Sequence, residues 1–105
     1  MPHARALRLH PSDNVAVCTT AVHAGDTVDV MAADGGHTTA AAVSDITFCN
    51  KIALTDIPKG ADVIKYGEVI GTASEDIARG SLANDRNIAS QPRAYADEYL
   101  LGKKE

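Results

Sequence analysis

The chain has no tryptophan, one phenylalanine (Phe48) and three tyrosines among 105 residues. Its core must therefore come from Ala, Val, Ile and Leu, and a domain of this size then buries only a modest apolar area. Such a chain leans on a partner. It also lacks a basic excess: 10 Lys and Arg against 14 Asp and Glu leave a formal charge of −4. That excludes the broad cationic surface needed to neutralise a nucleic-acid backbone, and an anionic membrane leaflet is an equally poor target. No apolar run approaches the ~20 residues that span a bilayer, and Met1-Pro2-His3-Ala4-Arg5 passes into alternating residues instead of a secretory core. The expectation is a cytoplasmic protein. Cys18 and Cys49 are isolated, with no Cys-x-x-Cys pair, so reduced and partly buried thiols are expected ahead of a disulfide or a zinc site.

What is present is alternation. With 45% hydrophobic and 23% charged residues the chain reads as one ordinary domain. Leu7 and Leu9 alternate with Arg8 and His10, the turn formers Pro11-Ser12-Asp13-Asn14 follow, and Val15 and Val17 resume the pattern. Two strands joined by a turn fit best. Thr27–Met31, Val63–Tyr66 and Glu68–Ala73 read as further strands, the last two separated by Gly67. Thr55–Gly60 has room for no more than one helical turn. Only after Pro92 does helical spacing appear, with Ala94, Tyr95, Glu98, Tyr99 and Leu101 on one face. That helix either docks on a partner or packs on its own sheet. The body, residues 1–91, is mainly β, and residues 92–105 form a helical tail.

Three segments echo one another: Ala21–Val28, Thr55–Val63 and Glu75–Leu82 each carry an apolar residue, two variable positions, a glycine and a return to apolar residues. A glycine there supplies a positive φ at the end of a tight turn. Turns are expected at Gly60, Gly67, Gly71 and Gly80.

The run Asn50-Lys51-Ile52-Ala53-Leu54-Thr55-Asp56-Ile57-Pro58-Lys59-Gly60, continuing Val63-Ile64-Lys65-Tyr66-Gly67-Glu68-Val69-Ile70-Gly71, resembles the signature of the SAF-type domain of altronate and galactarate dehydratases. The likeness extends back to His10–Val17 and forward to Ala73–Gly80, and so covers nearly all of residues 7–88. It is also similar to the small chain of sulfolactate sulfo-lyase, which works beside a separate large chain. The resemblance implies a SAF-type β-clip fold with short helical turns and a C-terminal helix. It further implies a lyase that eliminates water or sulfite from a hydroxy acid. Such chemistry needs a base for the α-proton, an acid or metal for the leaving group, and donors for the carboxylate. One small β-clip does not supply them all. No cofactor is therefore expected in this chain, and a divalent metal, with iron as a candidate, is expected in a large dehydratase-like catalytic subunit.

The chain departs from the family pattern at its histidines. The motif usually opens His-Lys-Ile-Ala-Leu, and Asn50 stands at the His position. The last strand usually reads Val-His-x-His-Asn, and Ala83-Asn84-Asp85-Arg86-Asn87 keeps only Asn87. Neither an amide nor a guanidinium shuttles protons near neutral pH as imidazole does. In one reading Asn50, Asn84, Arg86 and Asn87 remain a binding constellation, Arg86 holding a carboxylate or sulfonate through its planar fork. In the other the site is lost and the chain is a non-catalytic ligand-binding or assembly module. Lys65 and Tyr66 alternate along a strand, so only one of them can face a site shared with Asn50; Lys65 is taken as that residue. The cluster is expected to form an open, electropositive concavity completed by a partner chain. Homo-oligomerisation stays open.

His3, His10, His23 and His37 show no ligand spacing and read as surface residues, His37 being the best outsider because it follows Gly35-Gly36. Asp56, Asp62, Glu75 and Asp76 read as caps at turns or short-helix starts instead of catalytic pairs.

Overall fold

The computed structural model describes residues 4–90. The helix expected after Pro92 lies outside them. Nine strands follow in order: β1 (Ala4–Arg8), β2 (Val15–Cys18), β3 (Thr27–Ala32), β4 (His37–Ala41), β5 (Lys51–Ala53), β6 (Asp62–Lys65), β7 (Glu68–Ala73), β8 (Leu82–Ala83) and β9 (Ile88–Ser90). They form a six-stranded sheet, β4-β3-β1-β2-β5-β8, and a three-stranded sheet, β6-β7-β9. β1 runs parallel to β3, and every other pairing is antiparallel. The expected β class holds, but the expected short helical turns do not: among the described residues there is no helix.

Those turns are crossings. Val22 and Ile46 exchange backbone hydrogen bonds, each N–H donating to the other's carbonyl at 2.8 Å, and Ile57 and Ile77 do the same at 2.8 Å. The turn three residues beyond each crossing residue ends at Gly25, Cys49, Gly60 and Gly80, with φ of 94°, 75°, 88° and 86°. Each of those four residues donates its N–H to the carbonyl four residues ahead of the opposing crossing residue: Gly25 to Ala42, Cys49 to Cys18, Gly60 to Ala73 and Gly80 to Ala53. The domain thus contains two crossings, each built from two copies of one unit. The sequence echo shows three copies; the fourth, Asp45–Asn50, is hidden because Cys49 stands in the glycine position. Asp45-Ile46, repeated at Asp56-Ile57 and Asp76-Ile77, is the signal that marks it.

The carboxylates ahead of these isoleucines cap the opposing turn, not their own. Asp56 Oδ1 accepts the Arg79 N–H and Asp76 Oδ1 accepts the Lys59 N–H, both at 2.9 Å. Asp45 Oδ1 accepts the Ala24 N–H at 2.9 Å. The charge-assisted bonds satisfy turn donors that no strand reaches.

One core surrounds the first crossing, with Val22, Ile46, Val28, Val30, Ile52 and Cys18 fully enclosed; a second surrounds Ile57, Ile77, Val15 and Val63. In β1 the enclosed face is Ala4 and Ala6, while Leu7, and Leu9 just beyond the strand, are only half-buried. The large sheet curls until its two edges meet: the Val43 N–H donates to the Gly80 carbonyl, and the Leu82 N–H donates to Ser44 Oγ, both at 2.9 Å.

Asp13 and Asn14 fasten the two sheets together. Asn14 Oδ1 accepts the Ile64 N–H at 2.8 Å and its Nδ2 donates to the Asp62 carbonyl at 2.9 Å, so a side-chain amide pairs with β6 as a strand would. Asp13 Oδ1 accepts the Gly67 N–H at 2.8 Å. Tyr66 and Gly67, both with positive φ, make the two-residue β6–β7 turn, so the strand alternation expected for Lys65 and Tyr66 stops at Lys65. Gly71 is not the turn expected. It lies within β7, where an added Cβ would collide with the Ala89 carbonyl of β9.

Candidate functional site

β5 and β8 are short, and their pairing Lys51↔Ala83 and Ile52↔Leu82 is held by the enclosed Ile52, Ala53 and Ala83. Asn50 precedes the first pair and Asn84 follows it, so the two expected site residues flank the same end of one ladder. Distant segments 50 and 84 are brought together by strand pairing.

The Asn84–Asn87 segment is a self-fastened turn. The Asn84 N–H donates to Asn87 Oδ1 at 2.9 Å, the Arg86 N–H to Asn84 Oδ1 at 3.0 Å, and Asn87 Nδ2 to the Leu82 carbonyl at 2.8 Å. Asn87 thus has both amide atoms engaged in the turn. Asn50 Nδ2 donates to Thr47 Oγ1, closing the turn ahead of β5. Arg86 is exposed, beside the half-buried Asn84 and Asn87.

Beside this turn lies a hollow of about 180 Å³ lined by Lys51, Ile70, Asn84, Asp85 and Ile88. Lys51 is half-buried on its wall. Burial lowers its ammonium pKa below the ordinary 10.5, and the positive charge of Lys65 pushes the same way, while Asp85 opposes both. Lys65, at the end of β6, is half-buried and close enough for its charge to act on Lys51. The hollow itself has apolar walls from Ile70 and Ile88, one ammonium group from Lys51, the Asn84 amide and the exposed Asp85 carboxylate, with Lys65 acting from outside the lining. Lys51 was absent from the residues singled out in the sequence, although it adjoins Asn50. The signal was a lone cation opening the otherwise apolar Ile52-Ala53-Leu54 run.

The histidines stand apart from this hollow. His37 is in β4, not a swinging loop, and its Nδ1 lies 3.1 Å from Asp29 Oδ1. His10 Nδ1 lies 2.8 Å from Ser12 Oγ, and its ring covers Gly67. His23 is exposed and neighbours Asp26. Among the described residues no three His, Cys, Asp or Glu side chains gather as a metal site. Nor is any helix there long and apolar enough to cross a membrane. Cys18 is enclosed and Cys49 exposed, both as free thiols; burial pushes the Cys18 thiol up to about 11.

Residues 4–91 match the family described as altronate/galactarate dehydratase SAF domain. The chain is 43% identical over 74 residues to the altronate dehydratase of Escherichia coli (strain K12), covering 70% of this chain and 14% of that protein. It is 36% identical over 87 residues to the galactarate dehydratase (L-threo-forming) of the same organism, covering 83% of this chain and 16% of that protein. The matched region therefore spans about one-sixth of the length of these relatives.

Proposed function

The chain belongs to the SAF-domain family of altronate and galactarate dehydratases, and we propose that it is the small subunit or accessory domain of a sugar-acid dehydratase-like lyase. In this reading it works in the cytoplasm with a separate large catalytic subunit that eliminates water or sulfite from a hydroxy acid. The observation that carries it is the geometry around Asn84: strand pairing sets it beside Asn50, both at positions where the family pattern has histidine, and on the wall of a hollow with Lys51. Lys65 stands outside that lining but close enough for its charge to act on Lys51 against that of Asp85, so an anion entering the hollow would meet two nearby ammonium groups.

The roles follow from the chemistry of each side chain. Lys51 and Lys65 neutralise the substrate carboxylate, Asn84 donates through its amide, and Arg86 reaches a second carboxylate or a sulfonate from the exposed rim. Asn50 and Asn87 hold the turns that place them. The divalent metal, iron among the candidates, belongs to the large subunit, where it would polarise the leaving group. No proton transfer is assigned to Asn50, Asn84 or Arg86, whose side chains do not titrate near neutral pH.

Co-expression with a dehydratase-like large chain, followed by elimination assays on hydroxylated and sulfonated acids, tests the proposal. Lys51→Met and Arg86→Ala are expected to lower turnover of the complex; full turnover by the isolated chain would refute the division of labour. A second reading, a non-catalytic assembly module, draws on the complete engagement of the Asn87 amide in its own turn. It prevails if both variants leave turnover and ligand binding unchanged while co-purification persists.

A further inference from the structure

A second polar concavity lies on the large sheet, and it shares no residue with the hollow beside Lys51. It measures about 380 Å³ and gathers residues that the curled sheet brings together, among them Arg8, Asn14, Thr38, Thr39, Thr55 and Arg79, with the buried Asp13, whose Oδ2 has no hydrogen-bond partner, also on the lining. Arg8 closes β1, Asn14 precedes β2, Thr38 and Thr39 are in β4, and Thr55 and Arg79 come from the two halves of the Ile57–Ile77 crossing. This is the open end of the curled sheet, a position where β-barrels commonly take ligands.

The two guanidinium groups reach the concavity from different elements, and each is held by a backbone carbonyl. Arg8 Nε donates to the Asp13 carbonyl at 3.1 Å and its Nη2 to the Pro11 carbonyl. Arg79 Nη2 reaches the Thr39 carbonyl at 3.5 Å, while its own backbone N–H is capped by Asp56. A guanidinium carries five N–H donors and no acceptor, so these contacts leave donors on both groups for a ligand. Asp56 Oδ1 is engaged by the Arg79 backbone N–H and Asp13 Oδ1 by the Gly67 N–H, and on the lining the two guanidinium charges outnumber the single carboxylate of Asp13. Exposed Thr38, Thr39 and Thr55 line the same space; Thr38 and Thr39 are consecutive in β4, so only one of those two hydroxyls faces it.

We propose that this open end is a binding site for a small-molecule oxyanion, a carboxylate or a phosphate, gripped between Arg8 and Arg79. Planar guanidinium forks match both oxyanions in bidentate geometry, and the threonine hydroxyls supply further donors. The volume is that of a small-ligand site. The site is independent of the dehydratase reading, because it is built from different strands and needs no large subunit.

The test titrates the full chain with inorganic phosphate and, separately, with succinate, following backbone amide resonances by NMR together with calorimetry. Saturable shifts are expected at Thr38, Thr39, Thr55 and Arg79 for at least one of the two, and the probe that saturates identifies the source. Arg79→Gln, at an exposed position, should weaken that binding about tenfold, as loss of a charged hydrogen-bond donor implies. Arg8 also holds the turn at Pro11 and Asp13, so Arg8→Lys, which keeps the charge but not the fork, is the second variant and should weaken binding while leaving the unfolding midpoint near that of the parent. Saturation by neither probe, or binding that both variants leave unchanged, would overturn the site. Shifts confined to Lys51, Asn84 and Asp85 would also overturn it, since they place the anion in the other hollow.

Discussion

The backbone N–H of Cys49 donates to the carbonyl of Cys18 at 2.8 Å, and this bond is the counterpart of the one Gly25 makes to Ala42 on the other side of the same crossing. Cys49 therefore does a glycine's work at φ 75° with a side chain attached.

That substitution has a conformational cost. A left-handed backbone disfavours an L side chain by roughly 1–2 kcal/mol, partly offset because glycine has more chain entropy to lose. The Cys49 side chain is exposed and contributes little packing. Cys49→Gly should raise stability by about 0.5–1 kcal/mol, seen as a higher urea midpoint with an unchanged slope.

Two glycines of the second crossing separate backbone strain from collision. A Cβ at Gly60 meets nothing within 4 Å, whereas at Gly80 it collides with the Ala41 carbonyl of β4. Gly60→Ala should cost about 1 kcal/mol from φ alone. Gly80→Ala should cost roughly 3 kcal/mol or more, because the curled sheet must reopen where Val43 and Gly80 bond. Paired chemical-denaturation curves check the difference.

Asn14 is a side chain inserted into a strand ladder. Asn14→Ala leaves the half-buried Ile64 N–H and the Asp62 carbonyl without their partners and should destabilise by about 2 kcal/mol. Asn14→Asp keeps the acceptor and loses the donor, so its loss should be intermediate. Hydrogen exchange should localise the effect to β6, with the Ile64 amide losing protection first.

Lys51 gives stability a pH dependence of definite sign. Its folded pKa lies below the unfolded 10.5, so between those values the unfolded chain binds the extra proton and stability rises with pH. Cys18, raised from 9.0 to about 11, acts oppositely, and its contribution is lost as pH climbs through that window. Lys51→Met removes only the first effect. The variant should be no less stable than the parent at pH 7, and its stability advantage should shrink toward pH 10.5. Asp85→Asn should lower the Lys51 pKa further, read as faster acylation of Lys51 at fixed pH.

Alternation and glycine punctuation in the sequence were enough to indicate a mainly β chain, because a half-buried strand must repeat every two residues and a positive φ favours glycine. They also revealed three of the four crossing units. The fourth escaped because Cys49 breaks the local rule while the backbone keeps its conformation. Pro11-Ser12-Asp13-Asn14 read as a turn, correctly, yet nothing local could show that Asn14 pairs with residues 62 and 64. That Asn50 and Asn84 stand where the family pattern has histidine was legible in sequence, and their meeting required the β5–β8 register. The sequence could not disclose the lowered pKa of Lys51, which depends on burial and on Lys65 from another sheet. It could not disclose the approach of Arg8 and Arg79 either. Local φ and side-chain period are set within a few residues, whereas charge coupling and concavity depend on which distant strand ends the fold brings together.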